Sequence, residues 1–590
     1  MSVVVENLRV ELASTGEPLV SEVSFSIEPG KVLGLVGESG SGKTTVSLAM
    51  LGYARSGTQI ADGSKVEIDG IDFLALSAAE RRARRSDLVA YVPQDPNASL
   101  NPALSIGEQL LEGLLHGRKA ISRKQALERA SAILTDVGLP ATREFLKRYP
   151  SQISGGQQQR IGIAMAIAAY PRLIVLDEPT TGLDVSVQKD VISLVARLCA
   201  EYSIAAVYVS HDLALISHVA DQVLVLYGGR VMEKASSSAL FDKPAHPYTE
   251  ALLDALPSAK QRRTLRAIGN GTSTGIVRST PECIFRTRCD IATDACLMNP
   301  DLVPFANTDH VVRCHFPGEQ SKERGLLIAP GRAEVDQRKP IFEVSGFNAS
   351  YGDHTVLHDI DISVRGGQCL AIVGESGSGK STLSRCIAGL HDGWHGNVFF
   401  NGKALRPGHS GRTAEDRRRI QYIFQNPYGS LNPRRTIGSS IELVHRHFFG
   451  GDTAAARRAI KEVLERVALP STYADRFPNE LSGGEKQRAA IARALICGPE
   501  ILVCDEVTSA LDVSVQAAVV ELLRNLMSDG LSMIFVTHNL GVVRSLADQV
   551  AVLSAGRIIE FGSTDEVMDQ PATDYTRKLL SDTLEVVKAA

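Results

Sequence analysis

Gly37-Glu38-Ser39-Gly40-Ser41-Gly42-Lys43-Thr44-Thr45 fits the pattern G-x-x-x-x-G-K-[ST], and its flanks settle how that pattern is read. The apolar run Val32-Leu33-Gly34-Leu35-Val36 precedes it and predicts a buried strand. Val46-Ser47-Leu48-Ala49-Met50-Leu51 follows and predicts a helix. Strand, glycine-rich loop and helix N-terminus together form a phosphate cradle. Gly37, Gly40 and Gly42 let backbone N–H groups close around phosphate oxygens, with Ser39 and Thr45 in the same loop. Lys43 would reach the β- and γ-phosphates, and Thr44 would offer its hydroxyl to Mg²⁺.

The pattern returns more than half a chain later, behind another apolar run, Cys369-Leu370-Ala371-Ile372-Val373. Gly374, Ser376, Gly377, Gly379, Lys380, Ser381 and Thr382 repeat the first set. The chain therefore reads as a tandem duplication. Each half is expected to be an α/β nucleotide-binding domain with a helical subdomain and antiparallel edge strands.

A length of 590 residues calls for more than one domain. Apolar content of 44%, charged content of 22% and a net charge of −4 are ordinary for a soluble globular chain. That balance offers no global basic charge to hold nucleic acid. No apolar run approaches the ~18 residues of a membrane span. Met1-Ser2-Val3-Val4-Val5-Glu6 lacks the basic start and apolar core of a signal peptide, which places the expected location in the cytosol.

Taken in order, Val3–Val5, Leu8–Leu12 and Val23–Ile27 read as strands before the turn Glu28-Pro29-Gly30. Arg81–Arg85 and Arg417–Arg419 are matched basic runs, best read as solvated helix faces. Each leads to a short strand ending in Gln, at Gln94 and Gln425, where a Mg²⁺ or water contact is expected. Helices follow over 105–117 and 122–137, and over 436–448 and 453–467. Ser154-Gly155-Gly156 and Ser482-Gly483-Gly484 then open helices, each Ser a good N-cap and each helix start a second anion site.

At equal distances past those serines, apolar strands end in Asp177-Glu178 and Asp505-Glu506. An Asp there suits Mg²⁺ beside phosphates, and the neighbouring Glu can orient or deprotonate an attacking water. His211 and His538 end later strands and are expected to contact a γ-phosphate. Tyr351, ahead of the second loop, is open to two readings: a stacking face for adenine, or a half-buried strand residue. Ser14, its counterpart in the first half, cannot stack.

This order of motifs resembles the ATP-binding-cassette ATPases across both halves. Thr181-Gly182-Leu183-Asp184 and Ser509-Ala510-Leu511-Asp512 supply that family's Asp loops. The resemblance implies ATP and Mg²⁺ as ligands, and composite sites in which one cassette's phosphate loop is closed by the other's signature. Lys43, Thr44, Gln94, Asp177, Glu178 and His211 would work with Ser482 and Gly484; Lys380, Ser381, Gln425, Asp505, Glu506 and His538 with Ser154 and Gly156. Departures are small: Ile153 for the usual Leu, and Glu485 for the usual Gln.

His246-Pro247-Tyr248-Thr249, Asp574-Tyr575-Thr576 and the Ser-Leu-Asn-Pro phrases at 99–102 and 430–433 look like the ATPase subunits of oligopeptide and dipeptide importers. That resemblance implies two transmembrane permease subunits, an extracytoplasmic solute-binding protein reached through them, and a peripheral place on the cytoplasmic face of the inner membrane. The expected division is a first cassette over 1–257, a Cys-rich domain and linker over 258–335, and a second cassette over 336–590. A soluble twin-cassette ATPase acting on ribosomes is the alternative. The His switches, the Tyr-Thr tails and the Cys-bearing insert argue against it.

Cys283, Cys289, Cys296 and Cys314 cluster, while the other five of the nine cysteines are scattered. In a reducing compartment such a cluster reads as metal ligands rather than disulfides. The spacing x5, x6, x17 lacks the C-x₂-C pairs of structural zinc sites and departs from ferredoxin spacing. By resemblance to the Cys-rich tail of oligopeptide-importer ATPases, a [4Fe–4S] cluster leads; zinc and no metal stay open.

Overall fold

The computed structural model describes residues 2–95, 99–115, 122–269, 281–305, 309–319, 340–509 and 511–587. Asn97, Ala98, the end of the first predicted helical stretch past 115, linker residues 320–335 and Ala510 lie outside the described residues.

The apolar run before the first glycine loop is a strand, Val32–Val36, and all five of its residues are buried. A strand covered on both faces has no use for alternation, which is why the sequence reads as a continuous apolar block. Leu173–Asp177 and Ala205–Val209 are equally buried and lie parallel to it. In the first unit, eight described strands form one sheet, with Val32–Val36 between Gln222–Tyr227 and Ala205–Val209. A separate antiparallel sheet is built from Pro18–Ile27, Val3–Leu12, Lys65–Ile68 and Ile71–Asp72, with Thr58–Ile60 also paired to Val3–Leu12. Val3–Leu12 is a single strand with irregular register near Val5 and Leu8, where two strands were expected. Leu33 and Leu35 pack into the same core as Val5, Val23 and Phe25. Full burial of such side chains stabilises by about 1.5–3 kcal/mol each.

The second unit repeats the plan. Cys369–Val373 lies between Ser532–Val536 and Gln549–Ser554 in a sheet of six described strands. His354–Arg365, Pro340–Tyr351, Trp394–Phe400 and Lys403–Ala404 form its antiparallel sheet. Cys369 and Cys504 are buried strand residues, and burial pushes the Cys504 thiol up, so it packs as a small hydrophobe.

Helices of the subdomains span Ile106–Leu115 and Arg123–Asp136 in the first unit, Ile437–Phe449 and Thr453–Arg466 in the second. Ser122 starts one with a reciprocal cap to Gln125. Arg81–Arg85 lies in the helix Ala78–Leu88, mostly exposed, as a solvated face requires. The second basic run is partly tied down, Arg418 to Glu415 and Arg419 to Glu500.

The stretch expected over 258–335 contributes to both compact units. Ile268–Arg324 groups with Met1–Asp254, and Ala255–Ala267 with Gly325–Thr583. The Cys-bearing part has little core, so it borrows the first cassette's sheet: Val311–Val312 pairs with Arg230–Ser236, and Val303–Pro304 pairs with Val311–Val312. Glu233, fully buried, fixes this joint by accepting from the N–H groups of Ala245 (2.7 Å) and His246 (3.0 Å) and bonding His310 Nε2 (2.6 Å).

Candidate functional site

Each glycine loop has the backbone that its sequence demands. Gly42 and Gly379 cap the helices Lys43–Met50 and Lys380–Ile387 at φ 104° and 106°. A Cβ at Gly37 would lie 2.2 Å from the Leu226 carbonyl oxygen, and one at Gly374 would lie 2.1 Å from that of Leu553. Only glycine fits where the loop presses against the neighbouring strand. Ser39 and Gly40, like Ser376 and Gly377, are exposed at the mouth of the loop; Thr45 and Thr382 sit half-buried in the first helical turn. The Lys43 ammonium is buried and donates to the carbonyls of Gly37 (2.6 Å) and Glu38 (3.0 Å). Lys380 does the same with Gly374 (2.7 Å) and Glu375 (2.8 Å).

The acidic pairs meet these loops. Thr44 hydrogen-bonds Asp177, and the Ser381 hydroxyl donates to Asp505 at 3.2 Å. Burial raises the affinity of both Asp carboxyls for a proton, partly offset by hydroxyl donors. The oxygens of Glu178 are bracketed, Oε1 by His211 Nδ1 at 3.1 Å and Oε2 by the Gln94 amide at 2.8 Å. Glu506 has the same bracket from His538 (3.5 Å) and Gln425 (2.7 Å). Burial pushes Glu178 up, but the His211 hydrogen bond and the charges of His211 and Lys43 outweigh it, and the net shift is downward. Glu506 is lowered against its burial by His538, Lys380 and Gln425. Both glutamates hold φ at 49°, in the left-handed region, and donate their N–H to the next strand at Val209 and Val536. Strain of this kind persists where a site over-determines the backbone.

The histidines face the glutamates in this arrangement. The signature serines bond within their own helix starts. Ser154 and Gln157 form a reciprocal cap, and so do Ser482 and Glu485. Glu485 replaces Gln without loss because a carboxylate accepts from the Ser482 N–H at 2.7 Å just as an amide oxygen would. Gly155 and Gly483 are the first residues of these helices. Gly156 and Gly484 leave room for a neighbouring helix: an added Cβ would come within 2.8 Å of Val187 and 2.3 Å of Val515. Tyr351 is 46% exposed at the end of its strand, its ring 4.3 Å from that of His391.

Two residues in this group escaped the sequence reading. Tyr91 donates to Asp177 at 3.1 Å and Tyr422 to Asp505 at 2.6 Å. The signal was present: each Tyr precedes its Gln by the same interval in both halves. Tyr422→Phe removes a donor that orients the carboxylate of Asp505, the expected Mg²⁺ ligand. The Mg²⁺ concentration for half-maximal ATPase activity should rise about tenfold, the low end for a group of this kind. A Mg²⁺ titration of ATPase activity checks this, and an unchanged half-saturation would make the tyrosine a packing residue only.

A family model for the ABC transporter domain matches residues 20–181 and again 357–509. The chain belongs to the ABC transporter family. A second model, the C-terminal region of oligopeptide/dipeptide transporters, matches residues 232–296. This ABC chain is 35% identical over 591 residues to the glutathione import ATP-binding protein GsiA of Shigella flexneri serotype 5b, covering 98% of this chain and 88% of that one. It is 34% identical, with the same coverage, to GsiA of Escherichia coli strain K12. Among solved structures, cbiO1 from Clostridium perfringens matches 40% of this chain and 92% of its own, with 26% identity and a TM-score of 0.36. The protein is an ATPase of the ABC importer type with two cassettes fused in one chain. The ribosome-acting alternative finds no support in these relatives. No described helix is long and apolar enough to cross a membrane.

Cys283, Cys289, Cys296 and Cys314 line one apolar cavity with Phe285 and Pro247. Burial pushes the Cys314 thiol up to about 11, and the three other thiols push in the same direction. Among the described residues, no group of three or more His, Cys, Asp or Glu is placed to hold a metal ion.

Proposed function

We propose that this chain drives import of small peptide-like solutes, oligopeptides, dipeptides or glutathione, through two transmembrane permeases fed by an extracytoplasmic solute-binding protein. The match of residues 232–296 to the oligopeptide/dipeptide transporter C-terminal region carries this reading. The chain would sit peripherally on the cytoplasmic face of the inner membrane, with the segments after Gln94 and Gln425 receiving permease helices.

At each ATP site the cradle loop and its lysine hold the phosphates, while the helix starts at Ser154–Gly156 and Ser482–Gly484 offer further N–H groups to them. Thr44, Gln94 and Asp177, and Ser381, Gln425 and Asp505, would hold Mg²⁺, which neutralises charge on the phosphate oxygens. Glu178 and Glu506 take the proton of the attacking water. His211 and His538 keep each carboxylate turned and ionised. Tyr351 offers a ring for adenine at the second site.

We also propose that Cys283, Cys289, Cys296 and Cys314 hold a [4Fe–4S] cluster. That all four thiols line one cavity supports this reading. Its role would be to tie the Cys-bearing stretch to the first cassette. Membrane extraction with crosslinkers at Pro102 and Pro433 tests the assembly, and uptake of labelled dipeptide or glutathione by a strain dependent on this chain tests the solute. A wholly unassociated pool and no chain-dependent uptake would overturn the importer assignment. Anaerobic purification with iron and sulfide analysis decides the cluster: one zinc per chain, or no metal, rules it out.

A further inference from the structure

A buried ion pair joins the Cys-bearing stretch to the first phosphate loop. Arg288 closes the short turn Arg286–Arg288, which lies between Cys283 and Cys289. Its Nη1 donates to Glu38 Oε2 at 2.6 Å and its Nη2 to Glu38 Oε1 at 2.9 Å. The two side chains are 4% and 6% exposed. The same guanidinium donates to the Ile268 carbonyl at 2.7 Å and to the Tyr227 hydroxyl at 3.2 Å, so its fork is held on several sides. Tyr227, Tyr248 and Phe285 pack together beside it, ring centres 4.7–5.3 Å apart.

Glu38 is the second residue of the glycine loop. Its N–H donates to the Tyr248 hydroxyl at 3.0 Å, and its carbonyl accepts from Lys43 Nζ at 3.0 Å. One residue thus meets Arg288 with its side chain and the phosphate-binding lysine with its main chain. Without Arg288 the buried Glu38 carboxylate would lose its bidentate charge partner. The loop would relieve that by turning Glu38 toward water, and the Lys43 anchor would move with it.

The second loop keeps the backbone half of this arrangement. Glu375 N–H donates to the Tyr575 hydroxyl at 3.0 Å, and its carbonyl accepts from Lys380. Yet Glu375 is only half-buried, and Ser554 ends the strand that corresponds to the one ending in Tyr227.

We propose that Arg288 is a positioning residue for the first ATP site: through Glu38 it fixes the phosphate loop and sets nucleotide affinity there and not at the second site. This rests on Gly37–Thr45 being a phosphate loop. The test uses the full chain and a fluorescent ATP analogue. First-site affinity is read in a Lys380→Ala background, and second-site affinity in a Lys43→Ala background. Arg288→Met should weaken the first site about tenfold or more and leave the second within about twofold. Adding Glu38→Gln to Arg288→Met should restore part of the first-site affinity, because the buried charge that Arg288 offset is gone. A lower melting temperature with first-site affinity unchanged would make the pair structural only and overturn the proposal. Equal losses at both sites, which a general folding defect produces, would overturn it too. If Lys43→Ala alone leaves two equal sites, the phosphate-loop reading itself fails.

Discussion

Glu178→Gln and Glu506→Gln are each expected to cut ATP turnover at their own site by about 10²–10⁴-fold, the usual worth of a positioned general base. Gln fills the same space and leaves the backbone at φ 49°, so the bracket of His211 and Gln94 around Glu178 has a partner of the same shape. What it cannot do is accept the water proton. Nucleotide affinity should therefore hold while phosphate release collapses, a loss of transition-state stabilisation alone. Steady-state phosphate release together with analogue binding separates the two. The doubly substituted chain should show the full loss. If either single variant keeps full turnover, that glutamate is not a catalytic base.

Much of this site was legible because its chemistry is local in sequence. A cradle loop needs its glycines and lysine within one short stretch, and a carboxylate at a strand end follows an apolar run that is easy to see. Duplication then doubled each signal, so that Gln94 and Gln425, modest alone, gained weight as a pair. What stayed hidden was contact between residues far apart in the chain. The bond from Tyr91 to Asp177 is made by adjacent parallel strands, Val89–Val92 and Leu173–Asp177. Arg288 reaches Glu38 across most of the first unit, and nothing in the spacing of either residue shows it. How the Cys-bearing stretch attaches to the first cassette was hidden for a related reason. Val303–Pro304 and Val311–Val312 are two residues each, too short to announce strands, and they become strands only by adding to an existing sheet edge. Burial in the folded chain, not local propensity, makes them.

Lys43→Ala and Lys380→Ala should each remove one tight nucleotide site, taking binding stoichiometry from two per chain to one, and the double variant should bind none tightly. In each cassette the ammonium is buried and already anchored by two loop carbonyls, at 2.6 and 3.0 Å for Lys43 and at 2.7 and 2.8 Å for Lys380. An ammonium carries three protons, so the two anchors hold the chain end in place and leave donor capacity for phosphate oxygen. Charge-assisted bonds of this kind contribute about 1.5–3 kcal/mol each. Alanine removes the donor, the positive charge and the peg that keeps the loop closed, so the two effects compound. A loss of two or more decades in affinity at the altered site is the expected scale, with the unaltered site as the internal control. Equilibrium titration with a fluorescent ATP analogue gives stoichiometry and affinity together. Two sites surviving in Lys43→Ala, or one tight site surviving in the double variant, would place nucleotide elsewhere than at these loops.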